Sequence, residues 1–185
     1  MRIIAGMARG RTFDAPQGLD TRPTLDRVRE SLFNILQLRV RGARVLDLFA
    51  GSGALSLESL SRGAESAVMV DHSRAAIACI RKNVETLRFS DRARIIHTDW
   101  RAAVETLRKE GAVFDLMMLD PPYAMVELSE VTEAIRPLLS DHAMLVIEHD
   151  YRTMPHVADG YDAVDTRKYG IVGITFFEPV AEENL

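Results

Sequence analysis

Asp120-Pro121-Pro122-Tyr123 closes the apolar run Val113–Leu119. Adjacent prolines can neither continue a strand ladder nor enter a helix interior, so the backbone must leave the sheet here. The exit offers a carboxylate, proline carbonyls with no competing N–H, and an aromatic face. Together they can hold the amino group of a flat base and stack its ring. In an arbitrary sequence the simpler reading is a rigid turn after a buried strand. What shifts it toward ligand chemistry is a second motif upstream, Asp47-Leu48-Phe49-Ala50-Gly51-Ser52-Gly53.

That motif falls at a strand-to-helix turn, where open α/β sheets bind ligands. Gly51 and Gly53 let the backbone come close to a ligand, and the helix N-terminus favours an anionic group by ~0.3–1 kcal/mol. Asp71 ends the next strand, where a carboxylate can accept both hydroxyls of an adenosine ribose. Asp99-Trp100 ends the third; a carboxylate there can accept from an adenine amine, with the indole beside the ring. Each acid alone is an ordinary turn or cap residue. Three at successive strand ends point to a nucleoside cofactor. The run Gly51-Ser52-Gly53-Ala54-Leu55-Ser56 lacks the third glycine of a dinucleotide fingerprint.

The elements that must carry these residues alternate from Arg44 onward. Strands are expected at Val45–Leu48, Ser66–Val70, Arg94–His97, Val113–Leu119 and Ala143–Glu148. Helices are expected at Ala54–Arg62, Ser73–Leu87, Arg101–Glu110 and Val126–Arg136. Such alternation means a parallel sheet with helices on both faces. Asp162–Tyr169 and Gly173–Phe177 are separated by too few residues for a crossover, so they must form an antiparallel hairpin. Ahead of the alternation, Arg2–Ala5 and Arg11–Phe13 can form a small hairpin, and Leu25–Leu38 is an amphipathic helix with Thr24 as its N-cap.

The 185 residues are 47% hydrophobic and 27% charged, ordinary for one domain with a real core. The net charge of −4 conceals an asymmetry. Residues 1–44 hold nine arginines and four acids, net +5, on a body of −9. A basic arm on an acidic body suits phosphate contacts. Cys79, the single cysteine, reads as a small buried hydrophobe. The five histidines show no metal-ligand spacing, so no metal is expected. No apolar run approaches ~18 residues and no leader pattern is present, which makes a cytoplasmic, non-membrane protein the expectation.

The Asp47–Gly53 form resembles motif I of Rossmann-like class I methyltransferases, and Asp120–Tyr123 resembles motif IV of those that methylate exocyclic amines. The N-terminal runs Arg2-Ile3-Ile4-Ala5-Gly6, Arg9-Gly10-Arg11, Arg22-Pro23-Thr24 and Asp26 through Asn34, with Asp47 through Gly63, are similar to the RsmD family. That resemblance implies a mostly parallel, seven-stranded α/β sheet with an antiparallel C-terminal strand. A 1–40 RNA-binding extension would precede a methyltransferase domain over 41–185. The implied reaction moves a methyl group from S-adenosylmethionine to the N2 amine of a guanine in 16S ribosomal RNA, within a small-subunit particle, by a monomer.

Residue by residue, the resemblance gives Asp47, Gly51 and Gly53 to the methionine portion of the cofactor, with Phe49 in the same site. Asp71 would take the ribose, and Asp99 with Trp100 the adenine. Arg22 and Thr24 would lie near cofactor and substrate, Asp120 to Tyr123 at the target base, and Arg2, Arg9, Arg11 and Arg27 on RNA. The departures are Ala5-Gly6-Met7-Ala8 and Glu148-His149-Asp150. Lys168-Tyr169-Gly170 matches a late family pattern that has no assigned role. Motif IV fits a DNA adenine-N6 methyltransferase equally well, although 185 residues leave little room for a separate target-recognition region. A non-catalytic RNA-binding assembly factor would not need Asp120–Tyr123 intact.

Overall fold

Strand–helix alternation resolves into a seven-stranded mixed sheet, mostly parallel with antiparallel C-terminal strands. The computed structural model describes residues 1–15, 23–122 and 128–180. The chain divides into two compact units, Met1–Trp100 and Arg101–Leu185. The 1–40 region set apart above lies within the first.

The first unit opens with a short hairpin closed by a single antiparallel bridge, Arg2 to Thr12. Helices α1 (Pro23–Ile35) and α2 (Gln37–Val40) follow. Because α1 begins at Pro23, Thr24 is its second residue and not its N-cap, a correction to the expectation above. Proline fits the first helical position because its missing N–H would have had no partner there. Strands β1 (Arg44–Asp47), β2 (Ser66–Asp71) and β3 (Ala93–His97) pair in parallel in the order β3-β2-β1. Helix α3 (Ala54–Ser61) joins the first two, and α4 (Arg74–Leu87) the last two. The β2 interior, Ala67 to Val70, is buried without alternation, as a parallel strand covered on both faces must be. Ser73 caps α4, its side chain accepting from the Ala76 N–H.

In the second unit, β4 (Phe114–Leu119) and β5 (Leu139–Asp150) are parallel, and β7 (Val172–Pro179) is antiparallel to β5 and to β6 (Tyr161–Tyr169). Their order is β4-β5-β7-β6. Helix α5 (Trp100–Lys109) leads into β4, and α6 (Ser129–Ile135) precedes β5. At 12 residues β5 is longer than its apolar stretch predicts, extending through Leu139–His142 before the buried run. The hairpin expected near the C-terminus is present, with Gly170 and Ile171 at its turn.

The basic arm is bolted to α3. Glu58 has no exposed side-chain surface, and its carboxylate accepts from the amides of Ile4 at 2.9 Å and Ala5 at 3.0 Å. Arg62 Nε donates to the same group at 2.8 Å, and Arg29 Nε lies 3.8 Å from it. Ser61 adds a reciprocal pair: its hydroxyl accepts from the Ala8 amide and donates to the Ala5 carbonyl. With the sheet on one side and the arm on the other, α3 buries Ser56, Glu58, Ser59 and Ser61 along with its leucines.

Candidate active site

Asp47 ends β1 wholly inside the protein, 1% exposed. Its Oδ2 accepts from the Ser56 hydroxyl at 3.0 Å, one turn into α3. Its Oδ1 is buried with no hydrogen-bond partner among the described residues. Burial pushes the Asp47 carboxyl up to about 7, and the nearby Asp71 charge adds to that; the Ser56 hydrogen bond pulls the other way. A buried acid with an unused acceptor is a place for a cationic, hydrogen-donating group. The ammonium of the methionine part of S-adenosylmethionine has that chemistry, so the residues present fit the cofactor expected from sequence.

The glycine turn above Asp47 is held in shape by its neighbours. Gly53 is left-handed at φ +78°, a conformation that favours glycine, and a Cβ there would press on Met69 Sδ at 3.1 Å. Gly51, at φ +56°, faces open space. Its amide donates to Asp71 Oδ2 at 2.9 Å, while Ser73 N donates to Asp71 Oδ1 at 2.8 Å. Asp71 therefore clamps the glycine turn to the end of β2. Each of its oxygens keeps a second lone pair, which leaves capacity for ribose hydroxyls. Phe49 is half-buried within the same turn.

Past β3, Asp99 is exposed and stands directly before α5, while Trp100 is buried as the first residue of that helix. Asp120 is exposed immediately beyond β4, followed by buried Pro121 and exposed Pro122. Every acid singled out from sequence thus stands at or just past the carboxyl end of a strand, as the alternation required. Tyr123 and Arg22 lie outside the described residues, as does the Thr24 side chain.

The four arginines expected on RNA divide. Arg2, Arg9 and Arg27 are exposed, with Arg2 Nε 3.8 Å from Asp26. Arg11 donates to the carbonyls of Thr86 and Leu87, at the C-terminus of α4. A cation there complements the helix dipole, so Arg11 also has a structural role.

Sequence reasoning missed Asn83, which is 1% exposed. Its Nδ2 donates to the Ser52 carbonyl at 3.0 Å and the Asp14 carbonyl at 2.9 Å, and its Oδ1 accepts from Asp14 N at 2.8 Å. One side chain thereby ties the glycine turn to the segment that leaves the N-terminal hairpin. The signal was available: Asn83 interrupts the inward stripe of Ile77, Ile80, Val84 and Leu87. Cys79 is half-buried beside it, with Sγ 3.5 Å from the Asp14 carbonyl, rather than the core residue expected. Among the described residues no cluster of His, Cys, Asp or Glu could hold a metal ion.

Two measurements probe the surroundings of Asp47 and the glycine turn. Asp47 lies above the ordinary carboxylate value, so the free protein is expected to lose stability as pH rises from 3.8 toward about 7. Affinity for S-adenosylhomocysteine should rise over the upper part of that interval, by up to about tenfold per pH unit below pH 7. Asp47→Asn should flatten both profiles; an unaltered slope by calorimetry would remove Asp47 from the cofactor site. Asn83→Ala strands the Ser52 carbonyl and both Asp14 backbone groups, at a cost of about 1–3 kcal/mol for a buried group left unpaired. Cofactor affinity should drop with it, and a variant binding like wild type would show that the tie is dispensable.

The whole chain has relatives. The family model described as conserved hypothetical protein 95 matches residues 1–178. "Putative rRNA methyltransferase YlbH" of Bacillus subtilis is 37% identical over 183 residues, 96% of this chain and 98% of that protein. Ribosomal RNA small subunit methyltransferase D of Escherichia coli is 38% identical over 152 residues, 81% of this chain and 75% of that protein. The solved structure of "Putative methyltransferase yhhF" from Escherichia coli superimposes with a TM-score of 0.83 at 35% identity, covering 98% of this chain and 99% of that one. Identity above a third, spread over three quarters or more of each of these proteins and carried on the same fold in the solved structure, places the chain in the RsmD family.

Proposed function

We propose that this protein methylates the exocyclic N2 amine of a guanine in small-subunit (16S) ribosomal RNA. The observation that carries the reading is the acid-ended array: a buried Asp47 carboxylate oxygen with no hydrogen-bond partner among the described residues, beside a glycine turn, with Asp120-Pro121 closing β4. S-adenosylmethionine supplies an electrophilic methyl group on a sulfonium. Asp47 and the Gly51–Gly53 turn hold its methionine portion, Asp71 the ribose, and Asp99 the adenine amine.

A guanine amine is a weak nucleophile because its lone pair is delocalised into the ring. The Asp120 carboxylate and the Pro121 carbonyl accept its two N–H bonds and turn the lone pair out of conjugation. Positioning of this kind supplies roughly 7–11 kcal/mol of barrier reduction. The same carboxylate stabilises positive charge developing on nitrogen and takes the proton that leaves. Tyr123 stacks on the base, which must be unpaired or flipped to reach the site. Arg2, Arg9 and Arg27 contact phosphates from the arm. The substrate is an assembling small-subunit particle, and the setting is the cytoplasm where such particles form. No helix among the described residues is long and apolar enough to cross a membrane.

Tritiated-methyl transfer to small subunits, naked ribosomal RNA and DNA, followed by nucleoside mass spectrometry, tests the assignment. The expected product is N2-methylguanine in ribosomal RNA. N6-methyladenine in DNA, or no transfer at all, would overturn it.

A further inference from the structure

The β6–β7 turn and the segment after β5 form an exposed aromatic–cationic ledge that the reaction above leaves unused. Leu119 is in register with Ile147, and Asp150 with Val172. The Tyr151–Met154 turn and the Gly170-Ile171 turn therefore lie at the same sheet edge as Asp120. At ~3.3 Å per residue they project about 10 Å beyond it.

Tyr151 is 38% exposed, Met154 47% and Ile171 63%. Lys168 places its ammonium 4.4 Å from the centre of the Tyr151 ring and makes no salt bridge among the described residues. The neighbouring cations are engaged: Arg152 Nε donates to Asp150 at 2.9 Å, and Arg167 Nε to Asp165 at 2.8 Å.

This ledge is built, not frayed. The Tyr151 amide donates to the Ile171 carbonyl at 2.9 Å, which joins the two turns. Buried His149 spans them from below. Its Nδ1 lies 2.9 Å from the Asp150 carbonyl and 3.1 Å from that of Thr153, and its Nε2 lies 2.9 Å from Thr175 Oγ1 on β7. A Cβ at residue 173 would meet the imidazole at 2.5 Å, so Gly173 makes room for this strut.

We propose that the Tyr151–Lys168 ledge binds the unpaired RNA strand next to the target guanine, with one base stacked on Tyr151 and a phosphate held by Lys168. This rests on the RNA-methylating reading above. An exposed ring with an available ammonium, beside apolar side chains at the catalytic edge, is how single-stranded nucleic acid is gripped without sequence readout. The proposal gives Lys168-Tyr169-Gly170 a reason: it is the strand end that delivers the lysine and turns the chain.

The test is fluorescence-anisotropy binding of a labelled single-stranded RNA with a central guanine, by the full chain. Tyr151→Ala should weaken binding about tenfold, while Tyr151→Phe, which keeps the ring, should bind as wild type does. Lys168→Ala should weaken binding and lower the salt slope by about one counterion. Unchanged S-adenosylhomocysteine affinity shows that each variant is folded. RNA affinity unaltered in both alanine variants would overturn the proposal, as would a defect confined to assembled particles, which assigns the ledge to a protein partner. Failure of the underlying reading looks different: wild type would form no N2-methylguanine even where the binding differences hold.

Discussion

Replacing Asp120 with alanine is expected to lower methyl transfer by about 10²–10⁴-fold while leaving cofactor affinity nearly intact. The separation follows from position. Asp120 stands just past β4 in the second unit, whereas the residues proposed to hold the cofactor belong to β1, β2 and the turns of the first. On the proposed mechanism the lost carboxylate removes one of two acceptors that would localise the amine lone pair, and with it the charge opposite a nitrogen turning positive. Both effects act on the transition state more than on bound substrate, so kcat should fall and KM for RNA should move little. Asp120→Asn keeps an acceptor oxygen but loses the charge and the proton sink, and it should fall between alanine and wild type. Single-turnover transfer of a tritiated methyl group, with calorimetry on the same samples, separates the terms. Activity retained in Asp120→Ala would strip the residue of its role, and a parallel loss of cofactor binding would make that role structural.

Glu58→Ala is expected to cost about 3–5 kcal/mol of stability, because removing one partner of a buried ion pair leaves the others uncompensated. For a chain of this length that lowers Tm by roughly 6–20 °C. Three donors lose their acceptor, the amides of Ile4 and Ala5 and Arg62 Nε, and the buried Arg29 guanidinium, which is 4% exposed, loses an ion-pair partner 3.8 Å away. Arg29 keeps Asp26 at 3.0 Å and the Arg2 carbonyl, but its Nε has no hydrogen-bond partner among the described residues even with Glu58 present. Thermal unfolding followed by circular dichroism reads the total. Hydrogen exchange at Ile4 and Ala5 reads the arm alone and should lose protection first. A loss below 1 kcal/mol would mean that the arm is held by its apolar residues, Ile3, Ala8 and Phe13, and that the carboxylate contributes little.

What the sequence made visible were periods and breaks. Alternating strands and helices, the double proline after Leu119 and the glycine turn after Asp47 foretold the parallel sheet, the hairpin reversal and acids at strand ends. Each of these is local, and each needs only neighbours in the chain. Glu58 was not legible, because an acid in Ala-Leu-Ser-Leu-Glu-Ser-Leu-Ser reads as a helix's wet face; only a second layer of protein from residues 4–8 makes that face dry. Arg11 was legible as a charge but not as a cap for a helix ending more than seventy residues later. Asn83 sat in plain view on an apolar stripe, yet its partners, Ser52 and Asp14, come from two other segments. The β5 boundary was missed because its first residues join the strand through a register irregularity, Phe114 pairing with Leu139 and Leu116 with Met144, which no apolar period marks. Period reports which face is buried and says nothing of what covers it.

The bolting of the arm to α3 also sets an order of events during synthesis. Ile4, Ala5 and Ala8 meet their partners 53 or 54 positions further along the chain. While a ribosome is making this protein, those amides wait in water until Glu58 and Ser61 have emerged, and contacts of such long sequence separation form late. The arginines at positions 2, 9 and 11 therefore hang from an unfixed strand until the helix that follows the glycine turn is complete. The surface proposed to meet RNA takes its shape only after the glycine turn and the helix behind it have been built.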